Sequence, residues 1–314
     1  MGGFGGGSRS DWPVMLFGFG AAIAVLAFIA TANDEPDAPA PPSPIRPIRE
    51  LASTRPVAPV VAGRGTAEVG GATLAYHCEG RGSPVVILEH GGIVDTATAH
   101  VDDWEETRRQ LAELTSVCSY GRRGVLGSDP LPTSEPRTSA DHIADLRDLI
   151  ETTGWPGPFI LVGHSFGGLN AQLFAATHPG SVAGLVLVDS AHPDHIRVTG
   201  EDPGIYGAPE FVDFRASLDQ VRPVTRLGDL PIVVLSHGER VLTVLGSPQH
   251  GIPPGSPLPS IFGSTAEWAE LQTDLATFST RSEHFSVEDA GHNIHIDRPD
   301  AIAEAVLLLL EAAG

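Results

Sequence analysis

The sequence predicts an α/β domain built on a mostly parallel sheet with helices on both faces. Short continuous apolar runs, at Pro84–Leu88, Phe159–Val162, Leu185–Val188 and Ile232–Leu235, have the length and uniformity of strands buried on both sides. Longer segments with apolar residues at mixed three- and four-residue spacing fall between most of these runs, as helices do. Repeated strand–helix units of this kind close into a parallel sheet because the crossover helix must lie on a sheet face.

In chain order, Leu74–Cys78 reads as a first short strand and Pro84–Leu88 as the next. Val101 to Leu114 reads as a helix, with Trp104, Leu111 and Leu114 on one face and charge opposite. Ser116–Tyr120 is a short strand. Ser139 can cap a helix to Thr153 that carries Ile143, Leu146, Leu149 and Ile150 on one side. Phe159–Val162 is followed by a helix over Leu169–Thr177, and then come Leu185–Val188 and Ile232–Leu235. His284–Glu288 is a last strand, and Pro299 opens a final apolar helix to Ala312. Two stretches break the rhythm: His192–Leu230, and Gly238–Gly263 with its many prolines. Loops this long tend to be lids or binding loops, and residues 192–230 are expected to cap the site.

The chain divides into an N-terminal segment (1–33), a Pro-rich linker (34–65) and the folded domain (66–314). Val14–Ala30 is an uninterrupted uncharged run of about 17 residues, just long enough to cross a hydrocarbon core. Arg9 precedes it, and Asp34, Glu35 and Asp37 follow, so the remainder of the chain is expected outside the cytoplasm. The run serves either as a retained membrane anchor or, with cleavage after Ala30-Thr31-Ala32, as a signal peptide. The linker cannot pack a core and reads as an extended spacer. Acids and Arg balance in the first 65 residues, so the whole formal charge of −20 belongs to the domain. Such a surface repels phosphate backbones, which excludes nucleic-acid binding as a main function. A hydrophobic content of 41% excludes a largely disordered chain. In an exported chain, Cys78 and Cys118 can form one disulfide; the alternative is a pair of buried thiols.

The sharpest chemical signal is Gly163-His164-Ser165-Phe166-Gly167-Gly168, set directly between a strand and a helix. A Ser on a tight strand-to-helix turn needs Gly on both sides because the backbone is strained and neighbouring chains pass close. The turn lifts the hydroxyl clear of the sheet at the positive end of the following helix. With Leu88-Glu89-His90-Gly91-Gly92 upstream and Ala290-Gly291-His292 after the last strand, the chain resembles the α/β-hydrolase family over residues 70–314. Ser119-Tyr120-Gly121-Arg122-Arg123-Gly124 stands where many relatives carry Tyr-Asp-Arg-x-Gly; Gly121 replaces the Asp. The family's strand order would also place the Cys78 and Cys118 strands side by side, which strengthens the disulfide reading.

The resemblance implies a nucleophile, a base, an acid and two backbone donors, and each has a physical need behind it. A Ser hydroxyl is a weak nucleophile until an imidazole takes its proton, and the imidazole needs a carboxylate to fix its tautomer. Ser165 is the implied nucleophile and His292 the implied base, with His295 as the fallback. The N–H groups of Phe166 and Gly92 are the implied oxyanion donors, each worth about 3–4 kcal/mol in the transition state. The acid is harder to place. Relatives carry it after the strand that here is Ile232–Leu235, but the matching position is Val241. Asp189, at the tip of the preceding strand, is the leading candidate, because some lipases of this fold carry their acid there; Glu239 and Asp194 are the alternatives, and Asp189 could instead only cap the turn through Ser190 and Ala191. Phe211, Phe214 and Leu218 fall at helical spacing and either line an acyl pocket or pack the 192–230 segment onto the body. The His192/His195 and His292/His295 pairs lack a third ligand, so no metal site is expected. No cofactor is implied. The expected function is an exported serine hydrolase acting on a small-molecule ester through an acyl-enzyme. A proline-iminopeptidase-like peptidase, an acyltransferase, or a catalytically idle binding module on the same fold are the alternatives.

Overall fold

The computed structural model describes residues 62–92, 102–131, 135–200, 204–205, 207–238 and 265–312, with a two-residue strand at Ser43–Pro44. All of these fall in one compact unit, Ala40–Gly314. The apolar run Val14–Ala30, nearly all of the linker, Glu239, Val241 and residues 239–264 lie outside the described residues. Among the described residues, no helix is long and apolar enough to cross a membrane.

The strands are β1 (Ser43–Pro44), β2 (Gly63–Val69), β3 (Ala72–Glu79), β4 (Val86–Glu89), β5 (Val117–Tyr120), β6 (Phe159–His164), β7 (Val182–Val188), β8 (Ile232–His237) and β9 (Ser282–Val287). They form one sheet in the order β1-β9-β8-β7-β6-β4-β5-β3-β2. Only β3 runs against its neighbours, pairing antiparallel with β2 and β5, so the mostly parallel sheet expected from the apolar runs is what the chain forms. The helices are α1 (Glu105–Leu111), α2 (Ser139–Thr153), α3 (Phe166–Thr177), α4 (His195–Thr199), α5 (Phe214–Val221), α6 (Thr265–Leu275), α7 (Ile294–Asp297) and α8 (Pro299–Ala312).

Side-chain alternation along the buried strands supplies two cores. Val85 and Ile87 face a cluster closed by α2, α3 and α5, whereas Val86 and Leu88 face one closed by α1, α7 and α8. Burial on both faces explains why these strands are apolar throughout. The structure also departs from the sequence reading in several places. Strand β2 starts at Gly63, so the domain begins ahead of residue 66, and its polar outward positions hide it from a search for apolar runs. Helix α3 starts at Phe166 rather than Leu169, directly after the Ser165 turn. Helix α1 covers only Glu105–Leu111. Helix α6 was not expected at all.

The 192–230 segment is partly helical. Asp213 caps α5 by accepting from the Ala216 N–H at 2.8 Å. The segment docks on α2, where the N–H of Ser139 donates to Ser217 Oγ (2.9 Å) and that of Ala140 donates to Gln220 Oε1 (2.9 Å). Phe214 and Leu218 are buried in the main core. Phe211 is half-buried, with a positive φ of 49°. Cys78 and Cys118 sit directly opposite each other on β3 and β5 and are joined by a disulfide.

Candidate active site

The site is assembled at the carboxyl ends of β4, β6, β7, β8 and β9. Ser165 is the first residue after β6 and the N-cap of α3, with φ 50° and ψ −119°. A non-glycine residue there is strained by roughly 1–3 kcal/mol, which the surrounding packing must hold in place. The packing is tight enough to do so. A Cβ on Gly163 would meet the Gly167 carbonyl oxygen at 2.6 Å, and one on Gly167 would meet that of Glu89 at 2.4 Å. Only glycine fits at either position. As the first residue of α3, Phe166 has no intrahelical partner for its N–H. Gly92 lies on the loop directly after β4, following His90-Gly91.

Asp189 repeats this arrangement one strand over. It is the first residue after β7, has a positive φ of 42°, and is completely buried. The two turns are tied together: the Ala191 N–H donates to the carbonyl of Ser165 at 3.0 Å. Asp189 therefore does not cap its turn through Ala191, whose N–H goes to Ser165. The Asp189 carboxylate instead collects donors from three other elements. His292 Nδ1 lies 2.7 Å from Oδ2, His237 Nδ1 lies 2.8 Å from Oδ2, and Trp268 Nε1–H donates to Oδ1 at 2.8 Å. The backbone N–H of His237 adds a longer bond to Oδ1 at 3.2 Å. Burial alone would raise the Asp189 pKa, but the charge and hydrogen bonds of His237 and His292 hold it far below the usual carboxylate range. Asp189 therefore stays ionised in a buried site.

His292 stands on the loop between β9 and α7, and its side chain is 14% exposed. Its loop is anchored by His164, whose Nε2–H donates to the His292 carbonyl at 2.9 Å. Burial keeps the His164 pKa well below its ordinary value, so this ring remains neutral beside its neighbours. His295, the fallback base, is placed elsewhere. It is buried against Trp104 and pairs through Nε2 with Asp103 Oδ2 at 3.1 Å, not with Asp189. Asp194 pairs with Arg197 at 2.7 Å, and His192 pairs with Asp274 at 2.9 Å. Among the described residues, no group of three or more His, Cys, Asp or Glu side chains is arranged to hold a metal ion.

Two members of this cluster escaped the sequence reading. His237 is the last residue of β8, next to where relatives place their acid, and burial opposes its charge while Asp189 raises its pKa. Trp268 lies on α6, whose buried Trp268, Leu271 and Leu275 are the helical spacing that could have revealed the element. Neither residue carries a motif.

A family model described as the alpha/beta hydrolase fold matches residues 84–259, more than half of the chain. The chain belongs to the α/β-hydrolase family, and the class so defined is a hydrolase. Among its relatives is an esterase of Mycobacterium tuberculosis, Rv0045c, 28% identical over 262 residues, spanning 74% of this chain and 84% of that one. The uncharacterised protein YqjL of Bacillus subtilis is 22% identical over 239 residues, or 73% of this chain and 85% of YqjL. A thermophilic esterase from Thermogutta terrifontis shares the fold with a TM-score of 0.53 at 19% identity, over 80% of this chain and 99% of the esterase.

Proposed function

We propose that this hydrolase is an exported serine esterase that cleaves carboxylic ester bonds through an acyl-enzyme. The observation that carries the reading is the 2.7 Å contact between His292 Nδ1 and the fully buried Asp189 carboxylate, beside the strained Ser165 turn. With Nδ1 facing Asp189, Nε2 is the nitrogen that takes the Ser165 proton. Ser165 Oγ attacks the ester carbonyl as His292 removes its proton, and Asp189 stabilises the imidazolium that forms. The tetrahedral oxyanion is held by the N–H groups of Phe166 and Gly92. His292 returns the proton to the leaving alcohol, which leaves Ser165 acylated. Water, deprotonated by the same imidazole, then releases the acid. Esterase relatives favour a small-molecule ester over an amide.

Export rests on Arg9 ahead of the apolar run and three acids after it. The Cys78–Cys118 disulfide is consistent with it, since such bonds persist in oxidising compartments. The domain is then either held at the membrane by residues 1–33 or released by cleavage after Ala32.

The test is labelling by a fluorophosphonate, combined with a panel of p-nitrophenyl esters of graded acyl length set against aminoacyl p-nitroanilides. The wild type should take one label per chain and turn over esters faster than anilides. Ser165→Ala should take no label and lose turnover by about 10⁶-fold, as triad nucleophile variants do. A labelled Ser165→Ala protein would remove Ser165 from the role. Anilides outpacing esters would make the enzyme a peptidase. An unlabelled, inert wild type would point to an idle scaffold.

A further inference from the structure

A second buried charge cluster lies against the other side of the Ser165 turn, and its centre is Arg122. This guanidinium is 1% exposed, and all five of its N–H donors are engaged. Nε and Nη2 form a fork on Glu210, at 2.7 Å to Oε1 and 2.9 Å to Oε2. Nη1 donates to Glu89 Oε1 at 2.9 Å and to the His90 carbonyl at 2.6 Å. Nη2 also donates to the Gly91 carbonyl at 2.6 Å. No donor is left for a substrate carboxylate. Glu89 is fixed in turn by Asn170 Nδ2, which donates to its Oε1 at 2.8 Å, and by a short hydrogen bond from the Tyr120 hydroxyl.

What Arg122 holds is more informative than how tightly it is held. The two carbonyls belong to His90 and Gly91, the residues that lead directly into Gly92. The guanidinium also lies over the Phe166 ring, 5.5 Å from its centroid. One side chain therefore holds the backbone that leads to one proposed oxyanion donor and packs on the side chain of the residue that supplies the other. Its fork partner, Glu210, comes from the 192–230 segment. That segment runs close to the Arg122 loop: a Cβ on Gly124 would meet the Pro209 carbonyl oxygen at 2.4 Å.

We propose that Arg122 is a positioning residue for the oxyanion hole, and that Glu210 couples the 192–230 segment to that hole through it. The proposal rests on the esterase reading above. Carbonyls pinned by a buried guanidinium fix the planes of the His90–Gly91 and Gly91–Gly92 peptides, and the second of these carries the Gly92 N–H. A donor preorganised in this way acts only on the charge that develops in the transition state, so it should raise kcat and leave KM almost alone. Lys can replace the charge but not the planar fork.

The test measures kcat and KM on a p-nitrophenyl ester, and Ki for a trifluoromethyl ketone, whose hemiketal oxyanion occupies the same hole. Wild type, Arg122→Lys and Glu210→Gln are compared, each checked for a native thermal transition. Arg122→Lys should lower kcat by about 10²-fold with KM within about threefold, and weaken the ketone in proportion to kcat/KM. Glu210→Gln should lower kcat by roughly tenfold with the same split. A folded Arg122→Lys protein with unchanged kcat and ketone affinity overturns the proposal, as does a rise confined to KM. If Arg122→Lys does not fold, Glu210→Gln decides, and wild-type kcat in that variant overturns it. A wild type that neither hydrolyses the ester nor reacts with a fluorophosphonate overturns the esterase reading, and the positioning role with it.

Discussion

Two buried polar clusters flank the Ser165 turn, and they are built from different chemistry. On one side, Glu89 and Glu210 are neutralised by Arg122, a group that never loses its proton in the accessible pH range. On the other side, the Asp189 carboxylate is held by the imidazoles of His292 and His237 and by the Trp268 N–H. The first cluster touches backbone carbonyls of the loop after β4; the second touches the imidazole assigned to proton transfer. The contrast fits a division of labour. The loop that leads to Gly92 is tied by a permanently charged fork, whereas the carboxylate beside the proposed base is held by imidazole and indole nitrogens.

Breaking the permanent cluster should cost the most stability. Glu89→Ala removes one carboxylate from a buried pair and orphans Asn170 Nδ2 and the Tyr120 hydroxyl, so unfolding should become easier by about 3–5 kcal/mol in denaturant titrations. The same value is expected at pH 6 and pH 8, because none of the partners titrates between them. The Asp189 cluster should respond more weakly and first through rate. Trp268→Phe keeps the ring but removes one charge-assisted hydrogen bond to Asp189, so kcat should fall by roughly tenfold with little change in KM. Smallest, and most diagnostic of the contrast, is His237→Asn. The His237 pKa is raised in the folded state, so its stabilisation is fully present below the unfolded value of about 6.5 and fades as pH rises through the folded value. The Tm deficit of His237→Asn should therefore be largest near pH 5.5 and shrink by about pH 8. A deficit that is flat with pH would place His237 in the same category as Arg122.

The same contrast runs through what the sequence could reveal. The Ser165 turn was legible because everything that makes it lies within a few residues: a buried strand, two glycines with no room for a Cβ, and a helix. The sheet was legible because burial on both faces leaves uninterrupted apolar runs. Asp189 could be reached only through the family resemblance, because some lipases of the fold carry their acid at that strand tip and Val241 stands at the usual place. Two of its partners were out of reach. His237 and Trp268 are 48 and 79 residues from Asp189, and each arrives on a different element. Glu210 is 88 residues from Arg122, in a segment that reads as a polar loop. Such contacts are products of the closed sheet and leave no local pattern. Helix α6 was hidden because its spacing begins just after a long Pro-rich stretch.

The central claim is that the carboxylate serving His292 stands at the tip of β7 rather than beyond β8. The most direct measurement is kcat/KM on one p-nitrophenyl ester for Asp189→Asn and Glu239→Gln, with folding of both verified by thermal unfolding. Asp189→Asn should fall by about 10³–10⁴-fold, because an amide disfavours the Nδ1–H tautomer of His292, and Glu239→Gln should stay within about threefold of wild type. A nearly silent Asp189→Asn alongside an inactive Glu239→Gln would contradict the account.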